Sequence, residues 1–179
     1  SNTITISTTT VIDNYVLISG PDTACAGDTL TFTAFPFTGV TSPKYLWYKN
    51  NIRIPGPNSQ TFKVTGFNTG DSVYCRLTSN NPCKSVDTSK SNTKVLFALP
   101  SPTITNVSNQ TLCNGDSTVV TDWGSSMSNA TFTWTNNKTS IGLPSSGNGN
   151  LPKFKAINTG NRKDSATITI TPYANGCKG

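Results

Sequence analysis

Ala166-Thr167-Ile168-Thr169-Ile170-Thr171 alternates apolar and hydroxyl-bearing side chains at every step, and Thr131-Phe132-Thr133-Trp134-Thr135 repeats the pattern. A period of two puts all the apolar side chains of an extended segment on one side, as an antiparallel strand with one buried face requires. Phe132, Trp134, Ile168 and Ile170 are therefore expected to face a core. Earlier in the chain, Tyr45 and Trp47 point away from Leu46 and Tyr48, and Val73, Cys75 and Leu77 point away from Tyr74 and Arg76. Glycine, asparagine and proline punctuate these segments, and no stretch carries a 3.6-residue apolar period long enough for a core helix. The expected fold class is all-β, an antiparallel β-sandwich built from strands recurring every 8 to 12 residues or so.

The same landmarks occur twice. Cys25-Ala26-Gly27-Asp28-Thr29 reappears as Cys113-Asn114-Gly115-Asp116-Ser117, and a tryptophan follows each, Trp47 in the first copy and Trp134 in the second. Phe67-Asn68-Thr69-Gly70-Asp71-Ser72 matches Ile157-Asn158-Thr159-Gly160 followed, after a short insertion, by Asp164-Ser165. Cys83 and Cys177 close the series. A shared order at nearly shared spacing marks two copies of one unit, so two tandem Ig/PKD-like sandwich domains are expected, at 13–99 and 100–179. Leu99-Pro100-Ser101-Pro102 is a short stiff linker between them. Ser1-Asn2-Thr3-Ile4-Thr5-Ile6 resembles Ser91-Asn92-Thr93-Lys94-Val95, the closing strand of the first copy, so residues 1–12 are expected to be the closing strand and linker of a preceding copy. The second copy stops soon after its last landmark, and the sequence reads as a window on a longer tandem array.

Composition narrows the chemistry. The 179 residues hold no histidine and no glutamate, and all eight acidic residues are aspartates. That removes His-based acid/base and nucleophile systems, His-ligated metal sites and any glutamate base. Asp28, Asp71, Asp116 and Asp164 fall at repeat-equivalent turns, where a carboxylate caps local backbone N–H groups. Calcium would need clustered oxygens, and no Asp-x-Asp-x-Asp loop is present. No catalytic residue, metal ligand or cofactor is therefore assigned, and the chain is expected not to be an enzyme. The net charge of +6 comes from basic residues scattered singly, with Arg162-Lys163 the one adjacent pair, so no nucleic-acid partner is expected. No apolar run approaches a membrane span, and no membrane insertion is expected.

Five cysteines in a chain rich in Ser, Thr and Asn favour an oxidising, exported setting. Alignment of the copies equates Cys25 with Cys113 and Cys83 with Cys177, and puts Cys75 opposite Ile168. The expected bridges are Cys25–Cys83 and Cys113–Cys177, with Cys75 a buried thiol acting as a small apolar residue. Cys25–Cys75 is the competing pairing, because an immunoglobulin-type bridge joins the second strand to the strand beginning Val73-Tyr74-Cys75.

The residues together resemble a known class. Ile18-Ser19-Gly20, Cys25-x-Gly27, Tyr45-x-Trp47, Gly70-Asp71-Ser72-Val73, and Phe132-Thr133-Trp134-Thr135-Asn136 through Cys177-Lys178-Gly179 look like the tandem Ig-like or PKD-like repeats of giant Bacteroidota cell-surface adhesins, SprB-like gliding-motility adhesins among them. The resemblance covers nearly the whole chain. It implies a structural spacer or filament segment of a secreted adhesin, exported by the type IX machinery and held at the outer membrane through the parent protein. The implied partners are neighbouring repeats of the same chain and surface polysaccharide or a substratum. The other function class is a carbohydrate- or protein-binding sandwich module attached to an exported protein. In this class Asp-Ser/Thr followed by a small or apolar residue is an O-glycosylation motif, which makes Thr23, Thr29, Ser72, Ser117 and Ser165 candidate glycan acceptors. Repeats like the second copy continue past the final cysteine into a closing strand, and its absence would leave an open edge. Trp47 and Trp134 are expected in cores; Trp123, in a turn-rich segment, is the aromatic to consider for a surface contact.

Overall fold

The computed structural model describes residues 2–37, 40–56 and 58–179. The chain divides into two compact units, Ser1–Ala98 and Leu99–Gly179. Its regular structure among the described residues is β-strand, antiparallel in every ladder whose register is defined, apart from one short 3-10 turn at Thr139–Ile141.

Strands of the first unit are β1 (Val16–Ser19), β2 (Thr23–Cys25), β3 (Leu30–Pro36), β4 (Lys44–Lys49), β5 (Ile52–Arg53), β6 (Thr61–Val64), β7 (Ser72–Thr78), β8 (Thr88–Lys90), β9 (Lys94–Val95) and β10 (Phe97–Leu99). One sheet runs β1-β3-β6; the other runs β5-β4-β7-β8 with β9 also on β7, and β2 pairs with β10. Register aligns the apolar faces: Ile18 lies opposite Ala34, Phe32 opposite Phe62, and Trp47 opposite Cys75. Val16, Ile18, Leu30, Phe32, Ala34, Tyr45, Trp47, Val73, Cys75, Leu77 and Leu96 form one core between the sheets, the burial that drives folding. Trp47 stacks on Phe62 at 5.3 Å and its indole N–H donates to the Ser59 carbonyl at 2.9 Å. Tyr74 departs from the alternation, being buried on the outward side of its strand. Tyr48 stacks on it at 4.8 Å and the Lys90 ammonium lies 4.1 Å above its ring, so neighbouring side chains supply the cover.

The repeated landmarks are turns. Asp28 N–H donates to the Cys25 carbonyl, Asp116 N–H to that of Cys113 and Asp71 N–H to that of Asn68, at 3.0 to 3.1 Å. The residue before each aspartate is a glycine at φ between 89° and 95°. A side chain at that position would be strained, which explains why Cys-x-Gly-Asp recurs and why Asn68-Thr69-Gly70-Asp71 shares its Gly-Asp pair.

Ile12 is tied to the loop after β7, its N–H donating to the Cys83 carbonyl at 2.7 Å and its carbonyl accepting from Ser85 N–H at 2.8 Å. Residues 2–11 belong to no strand.

The second unit carries β11 (Ile104–Thr105), β12 (Gly124–Ser125), β13 (Thr131–Asn136), β14 (Ser146–Asn148), β15 (Ile168–Ala174) and β16 (Cys177–Lys178). Its main sheet runs β14-β13-β15-β16, with β11 and β12 paired separately. Asn175 and Gly176, at φ 51° and 80°, form the two-residue turn between β15 and β16, the geometry such hairpins favour. Opposite the sheet, residues 115–121 and 151–156 run as an irregular antiparallel pair through the bridges Ser117–Lys155 and Thr121–Leu151. Trp123, Trp134, Leu143 and Leu151 are the buried centre, with Phe132, Ile168 and Ile170 packed against it. Those three remain partly exposed, and Ile168 and Ile170 lie where the outer edge of β15 has no ladder partner among the described residues.

Neither expected cysteine bridge is formed. Cys83 and Cys113, one from each expected pair, are free thiols, and so is Cys75, which excludes Cys25–Cys75 as well. Cys25 and Cys177 are in disulfide form. The reason is position along the sheet. Cys25 lies beside β10 at the start of β7, while Cys83 follows the end of that seven-residue strand, a separation of roughly 20 Å at about 3.3 Å per residue, far beyond disulfide reach. The second unit repeats this: Cys113 lies near the start of β15, and Cys177 pairs with Ala174 at its end. Cys75 meets its expected role: it is fully buried in the core, and that burial pushes its thiol up to about 11.

Candidate functional site: an open slot in the second unit

In the first unit the stretch from Lys94 to Leu99 lies between the start of β7 and β2. Leu96 N–H donates to the Asp71 carbonyl at 2.7 Å, Phe97 N–H donates to the Asp22 carbonyl at 2.8 Å, and the Leu96 side chain is completely buried. This stretch closes the sandwich.

The second unit has a cleft at the corresponding place. It is about 820 Å³ and runs between the 107–114 segment on one side and residues 163–168 with Ile170 on the other. Trp123, Leu151, Phe154, Ile168 and Ile170 give it an apolar lining, and the two sides add mixed polar and apolar residues, Leu112 and Lys163 among them. The outer edge of β15 receives Lys178 opposite Tyr173 and the Gly179 N–H on the Pro172 carbonyl at 2.9 Å; from Ile168 to Thr171 that edge has no ladder partner among the described residues. An apolar trough beside an unpaired stretch of strand edge is suited to an extended segment, not to polar chemistry.

The turn aspartates hold structure. Asp71 accepts from Asn50 Nδ2 at 2.7 Å, from Lys49 Nζ at 2.8 Å and from the Asn68 N–H at 2.9 Å. These bonds, Asn50 first and Lys49 next, lower its carboxyl to about 2. Asp164 accepts from Lys138 and from the Ser165 N–H, with Lys138 the larger cause of its lowered pKa. Asp116 accepts from the Cys113 N–H at 3.1 Å. Among the described residues no three Cys or Asp side chains gather as a metal site would require.

A carboxyl depressed on folding stabilises the folded state above its unfolded pKa, near 4, and that contribution is lost as pH falls towards about 2. Asp71→Asn should therefore cost about 1–2 kcal/mol at pH 7, after discounting for partial solvent screening. The gap to the wild type should narrow as urea unfolding is repeated from pH 4.5 down to pH 2. A constant gap across that range would assign the loss to altered packing.

The remaining candidates fall at separate places. Thr23, Thr29, Ser117 and Ser165 are exposed and Ser72 is half-buried. Trp123 is buried and edge-on to Phe132 at 5.9 Å, a packing role and not a surface contact. On the outer face of β4 and β7 the rings of Tyr48 and Tyr74 cover each other, and Arg76 and Lys90 lie over them, so neither ring offers an open stacking face. The sequence reading did not single out one feature, an exposed apolar patch on β1 and β3. Leu17 faces Phe35 in register, and Tyr15 meets Phe37 edge-on at 6.5 Å. Outward-facing apolar residues opposite inward ones on neighbouring strands were its signal.

No family model matches the chain, and no curated protein matches it. Among solved structures it is similar to the Clostridium thermocellum CbhA fibronectin(III)-like modules, at 13% identity and a TM-score of 0.41, over 92% of this chain and 88% of that one. Likeness at that level carries neither family nor function, and the fold assignment stands on the strand pairing above.

Proposed function

We propose that this chain is a structural spacer segment of a large exported surface protein of the adhesin kind, and that it is not an enzyme. The observation that carries this reading is the build of the two units. Each has its own core from its own residues, and the two share their turn landmarks, as repeats that extend an array do. The aspartates support it, since Asp71, Asp116 and Asp164 are engaged in turn and ion-pair contacts. The disulfide state of Cys25 and Cys177 supports export. The intradomain bridges Cys25–Cys83 and Cys113–Cys177 are no part of the proposal. Export by the type IX route, display at the outer membrane, gliding motility and O-glycosylation at Thr23, Thr29, Ser72, Ser117 and Ser165 belong to it on the strength of the sequence resemblance.

The test is surface accessibility in the organism that makes the protein. Antibodies raised against the purified chain should label intact cells, and gentle protease treatment of those cells should release its peptides, some carrying hexose-containing mass additions at the Asp-Ser/Thr sites. Labelling confined to permeabilised cells would reject the reading.

A second reading, a protein-binding module, is favoured by the patch of Tyr15, Leu17, Phe35 and Phe37, which are 44% to 56% exposed. Recovery of one defined partner by the wild-type chain, lost on Leu17→Asp with Phe35→Asp, would favour it over the spacer.

A further inference from the structure

We propose that the outer face of β5-β4-β7-β8 in the first unit binds an acidic polysaccharide, one that carries carboxylates along its chain. The inference adds a ligand to this unit and does not depend on the spacer reading.

Lys44, Arg53, Arg76 and Lys90 stand singly in the sequence, and strand pairing brings them together. Residues directly opposite each other in an antiparallel ladder share a face. Arg53 lies opposite Tyr48 and Tyr48 opposite Tyr74; Leu46 lies opposite Arg76 and Arg76 opposite Lys90; Lys44 lies opposite Thr78 and Thr78 opposite Thr88. Lys44, Leu46 and Tyr48 alternate along β4 with the buried Tyr45 and Trp47, so these rows are on the side away from the core. With strands about 4.8 Å apart and alternate residues about 6.6 Å apart, the other three cationic positions lie within about 12 Å of that of Arg76.

All four side chains are exposed, and none is in an ion pair among the described residues. No aspartate falls on the rows; Asp71 and Asp87, just before β7 and β8, are taken up by Lys49 and Lys84. Arg76 and Lys90 face each other as like charges, an arrangement that costs a sheet stability. Two rings hold them in place. The Arg76 guanidinium lies 5.4 Å from the centre of Tyr48, and the Lys90 ammonium 4.1 Å from that of Tyr74. A ligand carboxylate relieves the repulsion and pairs with the planar guanidinium through two hydrogen bonds.

The spread of charge over four strands suits a polymer that lies flat. Thr78 and Thr88 put hydroxyls beside Lys44, which match the hydroxyls of a sugar chain. A single-stranded nucleic acid needs open rings on which to stack, and Tyr48 and Tyr74 cover each other at 4.8 Å. A duplex is read by an element raised into its groove, which a flat sheet face does not offer.

Fluorescein-labelled sodium alginate titrated with the 179-residue chain at low salt should gain anisotropy, and labelled neutral dextran should not. Sodium chloride should weaken the alginate complex about tenfold or more between roughly 50 and 300 mM, since exposed charges are screened. The variant Lys44→Gln, Arg53→Gln, Arg76→Gln, Lys90→Gln should bind about tenfold or more weakly. Lys44→Gln with Arg53→Gln leaves both ring contacts in place, keeps the wild-type near-ultraviolet circular dichroism, and should already weaken binding about threefold. Lys153→Gln, Lys155→Gln, Arg162→Gln, Lys178→Gln removes as much charge from exposed positions of the second unit and should bind as the wild type does. Equal losses in the two fourfold variants would assign the attraction to net charge and overturn the proposal, as would a chain that does not bind alginate at low salt. Duplex DNA or polyglutamate that displaces labelled alginate as well as unlabelled alginate does, at matched charge, would overturn the ligand class.

Discussion

Trp47→Ala should lower the stability of the first unit by about 3–5 kcal/mol, the range for removing a large aromatic from a packed core. Trp47 is 4% exposed, lies opposite Cys75 in register, and stacks on Phe62, so truncation opens a cavity walled by both sheets. The Ser59 carbonyl also loses its indole donor, and the half-exposed rim there leaves water to replace only that part of the interaction. Because the core containing Trp47 draws on residues of the first unit only, the loss should be confined to that unit. Chemical denaturation followed by near-ultraviolet circular dichroism should show an early transition that the wild type lacks. The signal from Trp123 and Trp134 should persist to the wild-type midpoint. A loss below about 1 kcal/mol would mean that the site collapses around the missing ring and that the core is looser than its burial indicates.

The second unit should be most sensitive at a residue with no side chain. Gly147 on β14 lies directly opposite Trp134 on β13, and the indole lies over it. A Cβ added at Gly147 would come within 2.3 Å of the ring, closer than any real contact, and the ring is held between Leu143, Leu151 and the sheet. Gly147→Val should therefore cost about 1–3 kcal/mol through overpacking, although valine suits a strand better than glycine does. Gly149, two residues on, has open space around the same added atom, but its φ of 71° penalises a side chain for a backbone reason. Thermal unfolding of Gly147→Val should show a lowered midpoint that Gly147→Val with Trp134→Phe partly restores, since the smaller ring relieves the clash. No restoration would locate the cost in the backbone instead.

Strand faces were legible in the sequence because they depend on neighbours two residues apart. Phe132, Trp134, Ile168 and Ile170 face the second core, and Tyr45, Trp47, Val73, Cys75 and Leu77 face the first. The repeated turns were legible for the same reason: glycine at a positive φ followed by a capping aspartate is a local requirement. Cysteine pairing was not. Matching Cys25 with Cys113 and Cys83 with Cys177 says that each pair occupies the same place in its own unit, and says nothing about which places touch. β7 separates Cys25 from Cys83 by its whole length, a fact carried by topology and not by order. The burial of Tyr74 also escaped, because it depends on Tyr48 and Lys90 arriving from other strands. The open slot was half legible. Ile168 and Ile170 in the cleft were legible from their alternation, whereas the 107–114 rim carries no periodic pattern from which its place could be read.

The amide of Asn92 has a mechanical consequence. Its Oδ1 accepts the Ile18 N–H at 2.7 Å and its Nδ2 donates to the Ile18 carbonyl at 3.1 Å, so one side chain imitates a strand and fastens the first strand of the unit to the stretch joining β8 and β9. Tension applied at the two ends of this unit reaches β1 from one side and β9–β10 from the other. The clamp joins those two regions directly, so both of its bonds must yield together before load enters the core. Rupture force, and not thermal midpoint, is the quantity that Asn92→Ala should change most.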